Sequence, residues 1–120
     1  MTGTDALLVA LGAAVGAPAR MLVGHWVRDR FGTTAAAGTL AVNVLGSLAL
    51  GALVGAGVGA GWVALLGIGF CGAFTTFSSL ALEVWEAMAD GRRVEATAVV
   101  ASSLVLGIGA AALGWSMVRP

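Results

Sequence analysis

Four hydroxyl side chains are concentrated within five positions of a long hydrophobic segment. They belong to the stretch GFCGAFTTFSSL, residues 69–80, and are Thr75, Thr76, Ser78 and Ser79, with Phe74 and Phe77 among them. Hydroxyl groups donate hydrogen bonds without carrying a charge, and the edge of a phenyl ring is weakly positive. Both properties favour contact with an anion, which makes this stretch the first candidate for a functional site.

Two structural interpretations of this stretch remain open from the residues alone. Phe70, Phe74 and Phe77 fall at i, i+4 and i+7, which is one face of a regular helix packed in a core, and Thr and Ser can bond back to carbonyls four residues earlier. Alternatively, Gly69 and Gly72 beside the hydroxyl cluster favour a local break. Irregular backbone at membrane depth is tolerated where it is buried in protein or lines a cavity, and its free carbonyls suit a hard cation.

A second polar stripe follows one face of another hydrophobic segment. Thr39, Asn43 and Ser47 are spaced four residues apart, so they share a helix face. An unpaired amide in hydrocarbon costs several kcal/mol, so the side chain of Asn43 must have a partner. Either it forms a hydrogen bond between helices, or it donates N–H groups to a polar pathway.

Three further polar side chains lie within hydrophobic segments. Arg20, two positions after Pro18, either extends to the membrane surface or marks a positively charged vestibule for an anion. Ser102 and Ser103 are adjacent, so they cannot both face one pathway. At least one of them is expected to join helices or to bond back to its own helix.

The composition requires a membrane. Hydrophobic residues make up 59% of the 120 residues and charged residues 10%, whereas soluble domains average about 25% charged residues. Four apolar runs reach the roughly 20 residues that a spanning helix needs, at residues 5–27, 34–58, 62–88 and 94–118. We therefore predict one all-α transmembrane domain over residues 1–120, in contact with lipid. Asp5 lies where a signal peptide would have its basic region, so no cleaved signal peptide is expected.

Several function classes are disfavoured by what the sequence lacks. No Asp, Glu, Lys or His lies near the middle of a span, because Glu83 falls in the last turns of the third and His25 at the end of the first. Proton-coupled pumps normally need such a group, so passive conduction is favoured, and no enzyme is expected. A net charge of zero without a basic block argues against nucleic acid as a partner.

Arginine and glycine positions predict orientation and assembly. One side of the membrane would carry Arg28, Arg30, Arg92 and Arg93 and the other only Arg119, which places the two arginine-bearing loops in the cytoplasm and both termini outside. Small residues four apart allow close helix approach, and such glycine pairs occur at 12 and 16, 51 and 55, and 55 and 59. We expect an oligomer.

Three segments, in this order on four spans, resemble the Fluc (CrcB) family of fluoride channels. They are GAPARM with Arg20, GTLAVNVLGSLALG with Asn43, and GAFTTFSSLALE with its TTFS core and Glu83. The resemblance covers nearly the whole chain. It implies a passive, fluoride-selective channel in a prokaryotic inner membrane, which exports cytoplasmic fluoride and lowers its toxicity.

The family resemblance also implies a fold and a set of site residues. The fold is a dual-topology dimer of two antiparallel four-helix subunits, each with a third helix broken in mid-membrane. A structural sodium ion at the dimer centre would be held by the backbone carbonyls of Gly72 and Thr75. The implied fluoride pathway contains Asn43, Phe77, Ser78 and Ser79, with Thr39, Ser102 and Ser103 as additional members and Arg20 at the vestibule.

The chain departs from the family pattern at two positions. The pattern reads roughly GGFTTFSTF, whereas this chain has Ala73 for the second glycine and Leu80 for the last phenylalanine. Because Leu80 offers no ring edge, a paired heterodimer is an alternative to the homodimer. Two rival interpretations are a small multidrug-type exporter, which would need an intramembrane carboxylate, and a non-conducting accessory subunit.

Overall fold

The computed structural model describes residues 2–120, and this part of the chain is entirely helical outside short connections. Four segments are long and apolar enough to span a membrane, which confirms the predicted all-α fold with four spans. The first is α1 (Gly3–Phe31), the second α2 (Ala35–Ala56) and the fourth α6 (Arg93–Val118). The third consists of α3 (Ala60–Trp62), a π-helix (Val63–Cys71), α4 (Gly72–Phe74) and, after a break, α5 (Ser78–Ala89).

Local sequence signals set the ends of the helices. At the start of α1, Thr2 and Asp5 form a capping box in which each side chain accepts from the other's backbone N–H at 3.2 Å. The helix ends at Gly32, whose positive φ of 60° a glycine adopts without strain. The Thr34 side chain then caps α2 by accepting from the backbone N–H of Ala37 at 3.3 Å. The turn between the first two spans is therefore only three residues long, 32–34.

Glycines allow the backbones of neighbouring spans to touch. A Cβ atom at Gly51 would collide with the Ala111 carbonyl oxygen, and one at Gly114 with the carbonyl oxygen of Leu48, which fixes α2 tightly against α6. Gly12 and Gly16 of α1 pack in the same way on the backbone of the third span at Leu65 and Phe70. The close contacts predicted for the 12/16 and 51/55 pairs are thus confirmed, whereas Gly59 has open space around it.

The break in the third span is confirmed, and its position explains the two phenylalanine environments. Phe74 is buried and its ring stacks on Phe70 with 5.6 Å between centroids, as core packing predicts. Helical geometry then stops at Thr75, which has extended backbone angles (φ −86°, ψ 160°). Phe77 is therefore not on the helix face of the other two rings, and 81% of its surface is exposed.

The outer surface of the helices is hydrophobic. The four tryptophans, at positions 26, 62, 85 and 115, are all exposed, between 43% and 68%, near the ends of spans where aromatic belts form. Many leucines and valines of α1 and α6 are also exposed. Such a surface needs lipid, a second subunit or both to cover it.

Candidate functional site

The side chain of Asn43 is bonded to the break in the third span. Its Oδ1 accepts from the backbone N–H of Thr76 at 2.7 Å, and its Nδ2 donates to the carbonyl of Thr76 at 3.0 Å. This pair of hydrogen bonds joins α2 to the non-helical backbone 33 residues away, so the interpretation of Asn43 as a link between helices holds. One N–H of the amide remains for another acceptor, because a primary amide carries two.

The two backbone amides that would continue the helix are diverted to side chains. Thr76 N–H bonds Asn43 and Ser79 N–H donates to Thr76 Oγ1 at 3.2 Å, instead of donating to the carbonyls of Gly72 and Thr75 four residues earlier. Those two carbonyls thereby lose the partner that a continuous α-helix supplies. They are the pair that the family resemblance assigns to a cation. The hydroxyl of Thr75 bonds back to the carbonyl of Cys71 at 3.0 Å, as one interpretation predicted.

Arg20 reaches the break from α1. Its Nη1 donates to the carbonyl oxygen of Thr75 at 3.3 Å, and its side chain is half-buried. The guanidinium therefore faces the protein interior rather than the membrane surface. The carbonyl of Thr75 keeps one lone pair free, because a carbonyl oxygen has two.

A cavity of about 530 Å³, here called the central cavity, opens beside the break. Asn43, Ser47, Thr76, Phe77 and Leu80 are among its lining residues, and Gly72 and Thr75 lie in the same wall. Its lining contains no charged side chain. Leu80 and Phe77 thus share one wall of the cavity that also contains the diverted carbonyls.

A second, polar cavity of about 270 Å³ lies between α1, α2 and the start of α5, and is here called the arginine cavity. Arg20, His25 and Arg28 line it from α1, facing Thr39 of α2 and Ser79 of α5. Thr76 lines both this cavity and the central one. Thr76, the residue that Asn43 bonds, therefore borders both cavities.

Thr39 is paired with Glu83 across the α2–α5 contact. The buried Thr39 hydroxyl donates to Glu83 Oε1 at 2.6 Å, while Oε2 of the same carboxylate is buried without a hydrogen-bond partner in residues 2–120. The sequence offered Glu83 only as part of the family motif. Glu83 and Thr39 are 44 residues apart in the sequence, and no local sequence pattern predicts their contact.

Ser102 and Ser103 are not brought to the break. They line a separate space of about 230 Å³ together with Thr34 and Glu95, between the beginnings of α2 and α6. The Ser103 hydroxyl is buried and has no partner in the described residues. Ser78 is exposed next to Phe77, and its hydroxyl lies 3.5 Å from the Thr76 hydroxyl.

One central residue was not predicted as a member of the site. Thr76 is 9% exposed, takes part in four hydrogen bonds of the break and touches both cavities. Its place in the middle of the hydroxyl cluster was the available signal. No cluster of His, Cys, Asp and Glu suited to a metal occurs in residues 2–120.

These features define a class of protein: a small, multi-pass helical membrane protein with a broken third span and uncharged polar groups at the break. Comparison with known families places it more closely. The family model described as "CrcB-like protein, Camphor Resistance (CrcB)" matches residues 7–115, so the chain belongs to the CrcB family.

Curated relatives match over nearly their full lengths. A protein of Symbiobacterium thermophilum named "Fluoride-specific ion channel FluC 1" is 47% identical over 91% of this chain and 96% of its own. One of Frankia casuarinae with the same name is 45% identical over 94% of this chain and 95% of its own. "Fluoride-specific ion channel FluC" of Erythrobacter litoralis is 40% identical over 94% and 90%. With four spans and bacterial relatives, the chain is a multi-pass prokaryotic membrane protein.

Proposed function

We propose that this chain is a passive, fluoride-selective channel of a prokaryotic inner membrane, which lowers fluoride toxicity by exporting the cytoplasmic anion. The proposal rests on family membership and on the fluoride-specific names of relatives that cover nearly the whole chain. The structural observation that supports it most is the break, where Phe77 is exposed beside a cavity that Asn43 and Thr76 line and that has no charged side chain. Passive export requires no enzymatic step. Hydrogen fluoride enters uncharged, dissociates in the cytoplasm, and the trapped anion leaves along its electrical gradient.

The groups at the break fit the needs of a small, strongly hydrated anion. Fluoride gives up water only where donors replace it, and the remaining Asn43 N–H and the hydroxyls of Ser78 and Ser79 are such donors. The edge of the Phe77 ring adds a weakly positive surface. No charged side chain lines the central cavity, so no carboxylate there repels the anion.

The backbone at the break suits a sodium ion. The carbonyls of Gly72 and Thr75, which have lost their amide partners, would hold it, and carbonyl oxygens replace the water of a hard cation. The bound ion would supply positive charge that stabilises the broken span. The contact of Arg20 with Thr75 leaves one lone pair of this carbonyl for the ion.

A second subunit would complete the site. Phe77 is 81% exposed and the central cavity is open on one side, so the pathway groups need a partner surface to exclude lipid. An antiparallel homodimer supplies this surface twice. Leu80 lies in the cavity wall with Phe77, which keeps the paired heterodimer as an alternative in which the partner provides the second ring.

The type of transport is tested by changing one gradient at a time. Liposomes containing the purified chain and loaded with potassium fluoride are diluted into fluoride-free buffer, and a fluoride electrode records efflux. A channel releases fluoride once valinomycin provides a charge-balancing potassium flux, whether or not a pH gradient is imposed. Efflux that requires a proton gradient would instead indicate a coupled exporter, and chloride efflux of similar rate would refute fluoride selectivity.

A further inference from the structure

The arginine cavity contains positive charge without an acidic counter-ion. Arg20, His25 and Arg28 line it, and no Asp or Glu does. Glu83 lies behind the wall, bonded to Thr39. In residues 2–120, ion pairs are formed by Arg92 alone, which binds Asp90 and Glu95 around the α5–α6 turn. Arg20 is bonded to the carbonyl of Thr75 and Arg28 to the ring of His25, but in residues 2–120 neither guanidinium forms an ion pair with a carboxylate.

Arg28 is held in place at the outer end of this cavity. Its Nη2 lies 2.5 Å from His25 Nδ1, and the guanidinium must be the donor because it has no acceptor. Its aliphatic stem passes over Gly38 of α2, where an added Cβ would lie 3.4 Å from Arg28 Cγ. The contact with the histidine and the close approach to the glycine position Arg28, a partly buried residue, where it lines the cavity.

The cavity leads inward to the break. Besides Arg28 and Arg20, its lining includes Thr76, which lies in the break, and Ser79, which lies in the first turn of α5. Because Thr76 also lines the central cavity, a small anion attracted by Arg28 would arrive at a residue that borders the proposed pathway.

We propose that Arg28, oriented by His25, forms with Arg20 an anion-recruiting site at this mouth, which takes small monovalent anions and delivers them to Ser79 and Thr76. That the delivered anion is fluoride rests on the proposed function; that the site binds an anion does not. A cleft lined by one sign of charge raises the local concentration of the opposite ion about tenfold or more. Arg28 therefore lowers the fluoride concentration at which flux is half-maximal, whereas the maximal flux is set by the residues of the break.

Arg28→Gln tests the site, and Arg30→Gln is its matched control. Arg30 has the same charge at the same end of α1, but it lies over the Phe31 ring and does not line the cavity. In liposomes, we expect Arg28→Gln to raise the half-saturating fluoride concentration about tenfold with little change in maximal flux, while Arg30→Gln has little effect. Arg28→Lys, which keeps the charge, should lie near wild type. Equal shifts in the two glutamine variants would overturn the proposal.

A binding measurement separates this proposal from channel function. Fluoride is titrated into the detergent-purified full chain, and the fluorine-19 line width reports binding whether or not the protein conducts. If Arg28→Gln binds fluoride more weakly than wild type and Arg30→Gln do, the anion site is supported. This holds even if no variant carries flux, because an absence of flux would refute only the proposed channel function. Identical titrations for all three folded proteins would overturn the site even if wild type conducts.

Discussion

The amide of Asn43 hydrogen-bonds both backbone groups of Thr76, at 2.7 and 3.0 Å, and so replaces a helical turn with a contact between two spans. This contact keeps the amide of Thr76 away from the carbonyl of Gly72. Both backbone groups of Thr76 are therefore satisfied although they lie outside a helix.

Asn43→Ala should destabilise the fold as well as the function. It leaves the N–H and C=O of Thr76 without partners, at an expected cost of about 2–4 kcal/mol for the two buried groups. Unfolding in detergent, followed by circular dichroism, measures this cost. Ser47→Ala is the control, since Ser47 lies one turn along the same helix and cavity wall but makes no side-chain hydrogen bond in the described residues. Equal stability of the two variants would contradict the assignment.

Gly114→Ala should separate α2 from α6. The added Cβ would collide with the backbone carbonyl of Leu48, and backbone cannot move aside as a flexible side chain can. Gly109→Ala, on the same helix, meets nothing within 4 Å and should be neutral or stabilising by about 0.5–1 kcal/mol. We expect a lower melting temperature for the first variant only. An equal decrease of the melting temperature in both variants would show that the close contact with Leu48 does not require glycine at position 114.

Thr39→Val removes the hydrogen bond that the Thr39 hydroxyl donates to the Glu83 carboxylate while keeping the shape of the side chain. Since Oε2 of Glu83 already lacks a partner in the described residues, we expect a loss of about 1–3 kcal/mol in stability. Thr97→Val is a suitable reference, because the Thr97 hydroxyl is exposed and bonds the carbonyl of Arg93 in its own helix. If both valine variants melted alike, the Thr39–Glu83 contact would have no measurable weight.

Leu80→Phe tests whether one ring limits conduction. A second ring edge in the cavity lining would offer the anion another weakly positive contact, and we expect efflux to rise a few-fold if this contact acts in the rate-limiting step. Leu82→Phe places the same ring at an exposed position of α5 outside the cavity and serves as control. Faster fluoride efflux in the Leu80 variant alone is expected. Matching rates in the two variants would remove Leu80 as a determinant.

The sequence predicts features that depend on local chemistry. The four spans follow from hydropathy. Clustered hydroxyls and glycines make a break near Thr75 one of two open interpretations, and the family resemblance favours it. The spacing of Gly51 and Gly55 predicts a close backbone contact of α2, although it does not identify α6 as the partner. Each of these signals lies within a single segment, so no knowledge of the partner segment is needed.

Features that depend on how segments face each other could not be predicted. The π-helix over Val63–Cys71 has no composition that marks it, and it packs where Gly12 and Gly16 let the backbone of α1 approach. The pairing of Thr39 with Glu83 joins residues 44 apart, and the separation of Ser103 from Ser79 depends on the rotation of α6. Ser79 and Ser103 both appear in the sequence as hydroxyl residues of a hydrophobic span, and only the packing of the helices determines which residues each of them contacts.

The most direct test of the central claim is fluoride efflux from liposomes that contain this chain as the only protein, in sodium and in sodium-free buffer. If the chain forms a homodimeric fluoride channel whose break is stabilised by sodium, efflux is rapid in sodium and falls when sodium is replaced by a larger organic cation. Absence of efflux under both conditions would contradict the homodimeric channel.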